Sequence, residues 1–433
     1  MNFKLSKFII PSVISMVLVG TYTNIDGLFI GGVLGEVGIA AINFAWPIVA
    51  LITSLGTGIG IGGSVILNSL RGKGDERGAE RVKFSLVILL ALVGVVFSVL
   101  LYFLSKPLLL LMGTTSDAFE YALEYSKIVS LGAIFQILGA GLVALLRNEE
   151  KTIFSMICCI AGLVVHLVLD MLLVEKFTLA GVACSTVFSQ LVIMIMCFFA
   201  LKFKGSIKEC WKDMPSILKA STSPIGINFV PSLVLLFTNY FAGVYGGTVA
   251  VGAYGVMSYA VYTLDYIFQG VCDGVQPVVS YCHGALDKKN QFRALKVAGI
   301  LIAVFSAVFI LLTPLLVIVM PKLFSISPQG EALMKTGFYV YAVSYLFKGI
   351  VKYVCSYYYA INKTTTSNLL ICLDAVVLSP LTLFLLPLGM GINGIWWSLP
   401  ITQIIVAVVA VLILYLSVKK SKKEQPSEKG ETI

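Results

Sequence analysis

Charge is what this sequence has little of. Only 12% of its 433 residues are Asp, Glu, Lys or Arg, and 58% are hydrophobic. A soluble domain carries about a quarter charged residues and under half apolar ones, so a soluble globular protein is excluded. The apolar residues recur in runs of about 20 or more along nearly the whole chain, the length that crosses a bilayer core. An enzyme with a single anchor is therefore excluded too, and the chain reads as polytopic. Histidine is almost missing (His166 and His283), and the nine cysteines form no CxxC pair. That leaves little material for a zinc or haem centre and no paired disulfide framework. No GxxxxGK[ST] stretch occurs, so ATP hydrolysis is not expected as an energy source and no cofactor is implied. The net charge of +9 is no argument for nucleic acid, because in a membrane chain the informative quantity is which loops carry the cations.

Breaking the apolar runs at charged or Gly/Pro-rich points gives twelve expected helices, at roughly 8–34, 40–70, 84–104, 122–146, 152–174, 179–201, 224–245, 249–282, 295–319, 333–361, 366–388 and 392–417. The first run is long, contains Asp26 and lacks a small-residue cleavage pattern, so it reads as a span and not as a signal peptide. An even number of spans puts both ends of the chain on one side. Loops and tails on that side hold 24 Lys and Arg, among them Arg71, Arg147 and Lys151, against five on the other (Lys106, Lys127, Lys176, Lys322 and Lys335). The positive-inside rule then places both termini in the cytoplasm and the chain in the plasma membrane. The segment 418–433 has no apolar face to bury and is expected to be a disordered tail.

The two halves resemble each other at an offset of about 212 residues. Pro11 falls opposite Pro224, Gly32 to Gly35 opposite Gly243 to Gly246, Gly58 and Gly62 opposite Gly270 and Gly274, and Asn148 opposite Asn362. Gly181, Ser185 and Gln190 recur with identical spacing as Gly394, Ser398 and Gln403. Six spans per half make the repeat parallel. The expected organisation is an all-α polytopic protein of twelve transmembrane helices in two six-helix repeats about a V-shaped central cavity. The N-lobe would span 1–201, a cytoplasmic connector 202–219 and the C-lobe 220–417. This is an architecture that secondary transporters use for alternating access.

Pro11, Asp26 within TNIDGLFIGGVLG, the following GIAAINFAWPI, the glycine-rich GTGIGIGG and the loop RGKGDERGA together resemble the multidrug and toxic compound extrusion (MATE) transporters over essentially the whole chain. The resemblance implies two six-helix lobes that exchange organic cations for protons or sodium ions. It also implies an N-lobe ion site built from the first-helix aspartate, here Asp26, and a fifth-helix aspartate, here Asp170. Where the family has an asparagine one turn before the latter, this chain has His166. Two acidic positions of the sodium-coupled branch correspond to Lys348 and Pro231, so its C-lobe sodium site does not carry over.

Seven formal charges lie within the expected spans: Asp26, Asp170, Asp265, Asp273, Lys348, Lys352 and Asp374. Each charge near the bilayer centre costs roughly 2.5–3.5 kcal/mol on insertion scales, so each must face a cavity, a partner or an interface. Asp26 sits near mid-span with Tyr22, Thr23 and Asn24 as hydrogen-bonding neighbours. A carboxylate at that depth can take up and release a proton as water reaches it, as a proton-coupled carrier requires. His166 and Asp170 share a helix face at i,i+4. Asp265, Gln269, Asp273 and Gln276 form one polar stripe, and Lys348 with Lys352 a second. The two stripes are expected to face and neutralise each other, because unpaired buried charge is far costlier than paired. Tyrosines such as Tyr341, Tyr345, Tyr358 and Tyr359 crowd the tenth helix; mid-membrane ones could stack on planar cations, but most are expected to be packing or interfacial belt residues.

The sequence thus points to a secondary active antiporter. It would export amphipathic cationic compounds in exchange for H⁺, with Na⁺ at Asp26 and Asp170 as the alternative counter-ion, and would work as a monomer in the bilayer. A flippase for a lipid-linked oligosaccharide or another lipid is the second reading, disfavoured because five intramembrane carboxylates outnumber two lysines. A channel is the third.

Overall fold

The computed structural model describes residues 4–111, 116–203, 207–324 and 326–423, and within them every regular element is helical. By length and apolar composition eight helices qualify as membrane spans, or nine if a pair bent by 57° is one span. Two of the eight, of 49 and 71 residues, are far longer than the roughly 20 residues one crossing needs. Each is broken by non-helical backbone, at Thr178 and Gly247 respectively. Resolving these breaks, and including Pro328–Ala360, gives twelve segments.

These are α1 (Ser6–Gly35), α2 (Val37–Gly72), α3 (Glu76–Leu111), α4 (the bent pair Ser116–Leu131 and Ala133–Asn148), α5 (152–177) and α6 (179–200) in the first bundle. The second bundle contains α7 (214–246), α8 (248–284), α9 (Lys288–Leu323), α10 (Pro328–Ala360), α11 (Thr364–Met390, with a π turn at Leu373–Leu378) and α12 (Ile392–Lys423). The expected tail therefore begins as helix through Lys423, and its remainder lies outside the described residues.

The repeat is written into the backbone. Among the described residues, the eight with positive φ pair off at offsets of 212 or 213: Gly35 with Gly247, Gly74 with Leu286, Glu150 with Asn362 and Thr178 with Gly391. They end helices or join one segment to the next, so equivalent breaks recur in both halves. The left-handed backbone aligns Gly35 with Gly247, one residue beyond the Gly243 to Gly246 alignment expected from glycine matching alone.

Glycine also decides where the bundles touch. A Cβ on Gly58 or Gly62 of α2 would fall 2.6 Å from the backbone nitrogen of Ile225 or Ser221 on α7. The symmetry-related contacts put a Cβ of Gly270 2.5 Å from Val13 Cα and of Gly274 2.6 Å from Ile9 Cα. Only hydrogen fits at these crossings, and backbones approach as closely as small residues allow. They lie at the end of the molecule carrying the starts of α1 and α7, called the closed end below. Farther along α1 the bundles diverge: a Cβ on Gly27 would meet only the Tyr259 hydroxyl at 3.7 Å, and one on Gly32 would meet nothing within 4 Å. Apolar side chains such as Val96, Phe103, Phe199, Leu311 and Leu315 stand exposed on the outer faces. Such a surface suits a solvent of lipid tails and would be unsustainable over this extent in water.

Candidate functional site

A cavity opens between the bundles. The first bundle contributes Tyr22, Asp26, Trp46, Tyr125, Gln136 and Arg147 to its wall, and the second Tyr262, Asp265, Tyr266, Gln269 and Lys352. The lining is largely apolar and aromatic with a few convergent polar groups, the usual character of a small-molecule site.

On the first-bundle side, the i,i+4 spacing of His166 and Asp170 turns both toward α1. His166 Nε2 lies 2.6 Å from Asp26 Oδ1 and 3.1 Å from Asp170 Oδ2. Tyr22, one turn before Asp26, donates its hydroxyl to the Cys159 carbonyl at 3.1 Å, and its ring lies 5.2 Å from the imidazole. The three donor atoms of Asp26, His166 and Asp170 lie within 4.8 Å of one another, near enough to enclose a cation. The donor set nevertheless suits a proton better than Na⁺. One ring nitrogen stands between two carboxylates, hydrogen-bonded to Asp26 and close to Asp170 without a hydrogen bond to it, so the second carboxylate is left to be served by a proton of its own. Hard cations take oxygen ligands, and here the central position is imidazole. The side chain of Asn24 lies outside the described residues.

On the second-bundle side, the two expected stripes meet, though not as a simple two-against-two match. Lys348 Nζ is 2.6 Å and Lys352 Nζ 3.4 Å from the Asp265 carboxylate, so both lysines serve one acid. Lys352 also donates to the Asp265 carbonyl at 3.2 Å. Asp273 is held instead by Arg147 of the first bundle at 3.0 Å and by Gln269 Nε2 at 2.7 Å. The physical reason is reach: two helical turns separate Asp265 from Asp273, and Arg147 comes in across the bundle interface. Arg147, read from sequence as a loop cation, is in fact buried. Gln276 binds Ser280, away from both clusters. Asp374 accepts from Gln403 Nε2 at 3.0 Å.

The tenth-helix tyrosines take the packing role expected of most of them, and other aromatics form the cavity wall. Tyr341, Tyr345, Tyr358 and Tyr359 of α10 are buried in the second bundle's core, where Tyr341 packs edge-on to Trp396 at 6.2 Å. Tyr22, Trp46, Tyr125, Tyr262 and Tyr266 line the cavity in their place. Tyr22 is expected beside Asp26, whereas nothing local in the sequence sets the other four apart from other membrane aromatics.

The family model MatE matches residues 11–172, the stretch holding Asp26, His166 and Asp170. Multidrug export protein MepA of Staphylococcus saprophyticus is 26% identical over 428 residues, covering 94% of this chain and 92% of that protein. MepA of Staphylococcus aureus is 26% identical over 430 residues, with the same coverage. The chain is thus similar to MatE proteins over residues 11–172 and to the MepA exporters over nearly its whole length. Both of these relatives are named multidrug export proteins. Solved structures share this fold. A MOP superfamily transporter from Pyrococcus furiosus superposes with a TM-score of 0.89 at 19% identity, covering 96% of each chain. An outward-facing multidrug resistance MATE family transporter superposes with a TM-score of 0.88 at 18% identity, covering 98% of this chain and 96% of that one. Of the three positions expected to depart from the family pattern, Pro231 and Lys348 border a smaller cavity, and His166 touches Asp26 of the main cavity wall.

Proposed function

We propose that this protein is a proton-coupled antiporter that exports amphipathic organic cations from the cytoplasm, with Asp26 and Asp170 as the coupling carboxylates. One observation carries the reading: Asp26 belongs at once to the cavity wall and to the carboxylate–imidazole–carboxylate cluster. A proton entering the cluster neutralises a wall group that would otherwise attract a cation, so proton and cargo compete through one residue. The aromatic lining supplies π faces for a cationic ring system. Relatives named multidrug export proteins support the cargo class.

The excess of Lys and Arg on one face supports cytoplasmic termini and a plasma-membrane location. The closed end is then cytoplasmic and the cavity opens outward. The molecule would act as a monomer, with lobes 1–201 and 220–417 moving about the connector. Export of an anionic lipid-linked oligosaccharide fits less well, because Lys352 and Arg147, the cavity's cationic groups, are each matched by a carboxylate.

The test is substrate efflux from proteoliposomes with pH and sodium gradients imposed separately. Efflux should follow the pH gradient, and Asp26→Asn should abolish it. Full-rate, pH-driven transport by Asp26→Asn would remove the assignment, and a sodium gradient acting alone would replace the proton.

A further inference from the structure

The floor of the cavity holds an ion pair that proton coupling leaves unused. Arg147, in the last turn of α4, reaches Asp273 of α8 with side chains only 3% and 1% exposed. The other Asp273 oxygen accepts from Gln269 of the same helix. Among the described residues this is the only buried ion pair joining the two bundles. It sits at the closed end, where Gly270 and Gly274 flank Asp273 on α8 and press against Val13 and Ile9. Arg147 and Gln269 line the cavity, and Asp273 lies beneath them. Lys352, the other cation on that wall, is committed to Asp265.

A buried guanidinium and carboxylate are tolerated because each neutralises the other. Alternating access must part the bundles at this end, and the pair cannot survive that movement, since its members ride on different bundles. Asp273 would remain on α8, oriented by Gln269 and facing the entering solution without its partner. A carboxylate so placed takes a cation, and the group that fits it in the closed form is a planar N–H donor, to which carboxylates bind strongly and directionally.

We propose that Asp273 is the loading carboxylate for cargo arriving at the closed end, and that Arg147 is an intramolecular stand-in for that cargo. The pair latches the bundles while the site is vacant, and it selects cations with N–H donors, of the guanidinium or amidinium type, over quaternary ammonium. The cargo assignment rests on the cation export proposed above, whereas the latch does not.

The test uses the full chain in lipid nanodiscs, with the exposed Cys372 replaced by serine. Spin labels at the exposed Lys73 and Lys289 report the closed end, and phenylguanidine and phenyltrimethylammonium serve as binding probes. Arg147→Gln should lengthen the label distance and raise phenylguanidine affinity about tenfold or more, with a gain for phenyltrimethylammonium under about threefold. Adding Asp273→Asn should cancel the gain. Arg147→Lys should keep the closed distance and the weak affinity of the unaltered protein, which shows that loss of charge, and not of folding, is being read. An unchanged affinity in Arg147→Gln, or a gain that survives Asp273→Asn, would overturn the proposal. Binding at equilibrium needs no ion gradient, so failure of proton coupling in vesicles and failure of this site are separate results.

Discussion

Adding one methyl group at Gly274 should unseat the closed end. A Cβ there would lie 2.6 Å from Ile9 Cα, 3.0 Å from the Phe8 carbonyl oxygen and 3.1 Å from Ile9 N, all backbone atoms of α1 that have no rotamer to change. Carbon atoms sit comfortably at about 3.5–4.0 Å, so α1 and α8 must separate by roughly 1 Å. Overpacking of this kind costs about 1–3 kcal/mol. The clash exists only while the bundles are closed, so the whole cost falls on that state and shifts its population against the alternative by about 5- to 150-fold. Gly62→Ala should act alike, because its Cβ meets Ser221 N at 2.6 Å across the equivalent crossing. Gly252→Ala, with nothing within 4 Å of its Cβ, is the control. Distances between spin labels at Lys73 and Lys289 read the populations directly. Gly274→Ala and Gly62→Ala should both broaden toward longer distances while Gly252→Ala does not. If all three match the unaltered protein, the glycine crossings do not hold the closed form and the reasoning fails.

Three further outcomes follow from particular contacts. Asp265→Asn leaves Lys348 and Lys352 without their shared counter-charge and should cost about 3–5 kcal/mol, seen as a large drop in melting temperature in detergent. Lys348→Met, which leaves the Lys352 contact in place, should lower it less, and the reverse order would contradict the pairing. Thr178 adopts φ 49°, where Gly391 has φ 56° in the second repeat. A β-branched residue is strained there, so Thr178→Gly should raise the melting temperature and Gly391→Thr lower it. Asp287, in the loop between α8 and α9, accepts hydrogen bonds from the backbone and side-chain nitrogens of Asn290, and these hold its carboxyl below its ordinary range. A depressed value means that the cap's contribution is complete above the unfolded value of about 3.9 and is lost as pH falls through the folded one. Amide exchange at the start of α9 should quicken only at strongly acid pH, and Asp287→Ala should show the quick exchange at neutral pH.

Much of the fold was legible in advance because its signals are local. Apolar run length, the duplicated glycines and the breaks between spans need no knowledge of neighbours, and the twelve segments lie where those runs lie. Part of the site was legible for the same reason: His166 and Asp170 share a face by spacing alone, and a mid-span carboxylate such as Asp26 must find company. The partners themselves were not. Asp26 meets His166 across 140 residues, and Arg147 meets Asp273 across 126. A charge at a helix end reads the same in sequence whether it turns to the loop or inward. Nor could the sequence say which aromatics line the cavity, since periodicity assigns a helix face but not what lies opposite it.

The sequence by itself determined that this chain spans a membrane, repeats itself once and carries a handful of charges where charge is costly. Only the tertiary structure decided which of those charges answer one another: one imidazole between two carboxylates, two lysines on a single aspartate, and an arginine drawn from a helix end to close the floor. Insertion requires that every buried charge be compensated, and that requirement can be read along the chain. Which partner compensates it depends on how two bundles of helices come together, which is a property of three-dimensional packing.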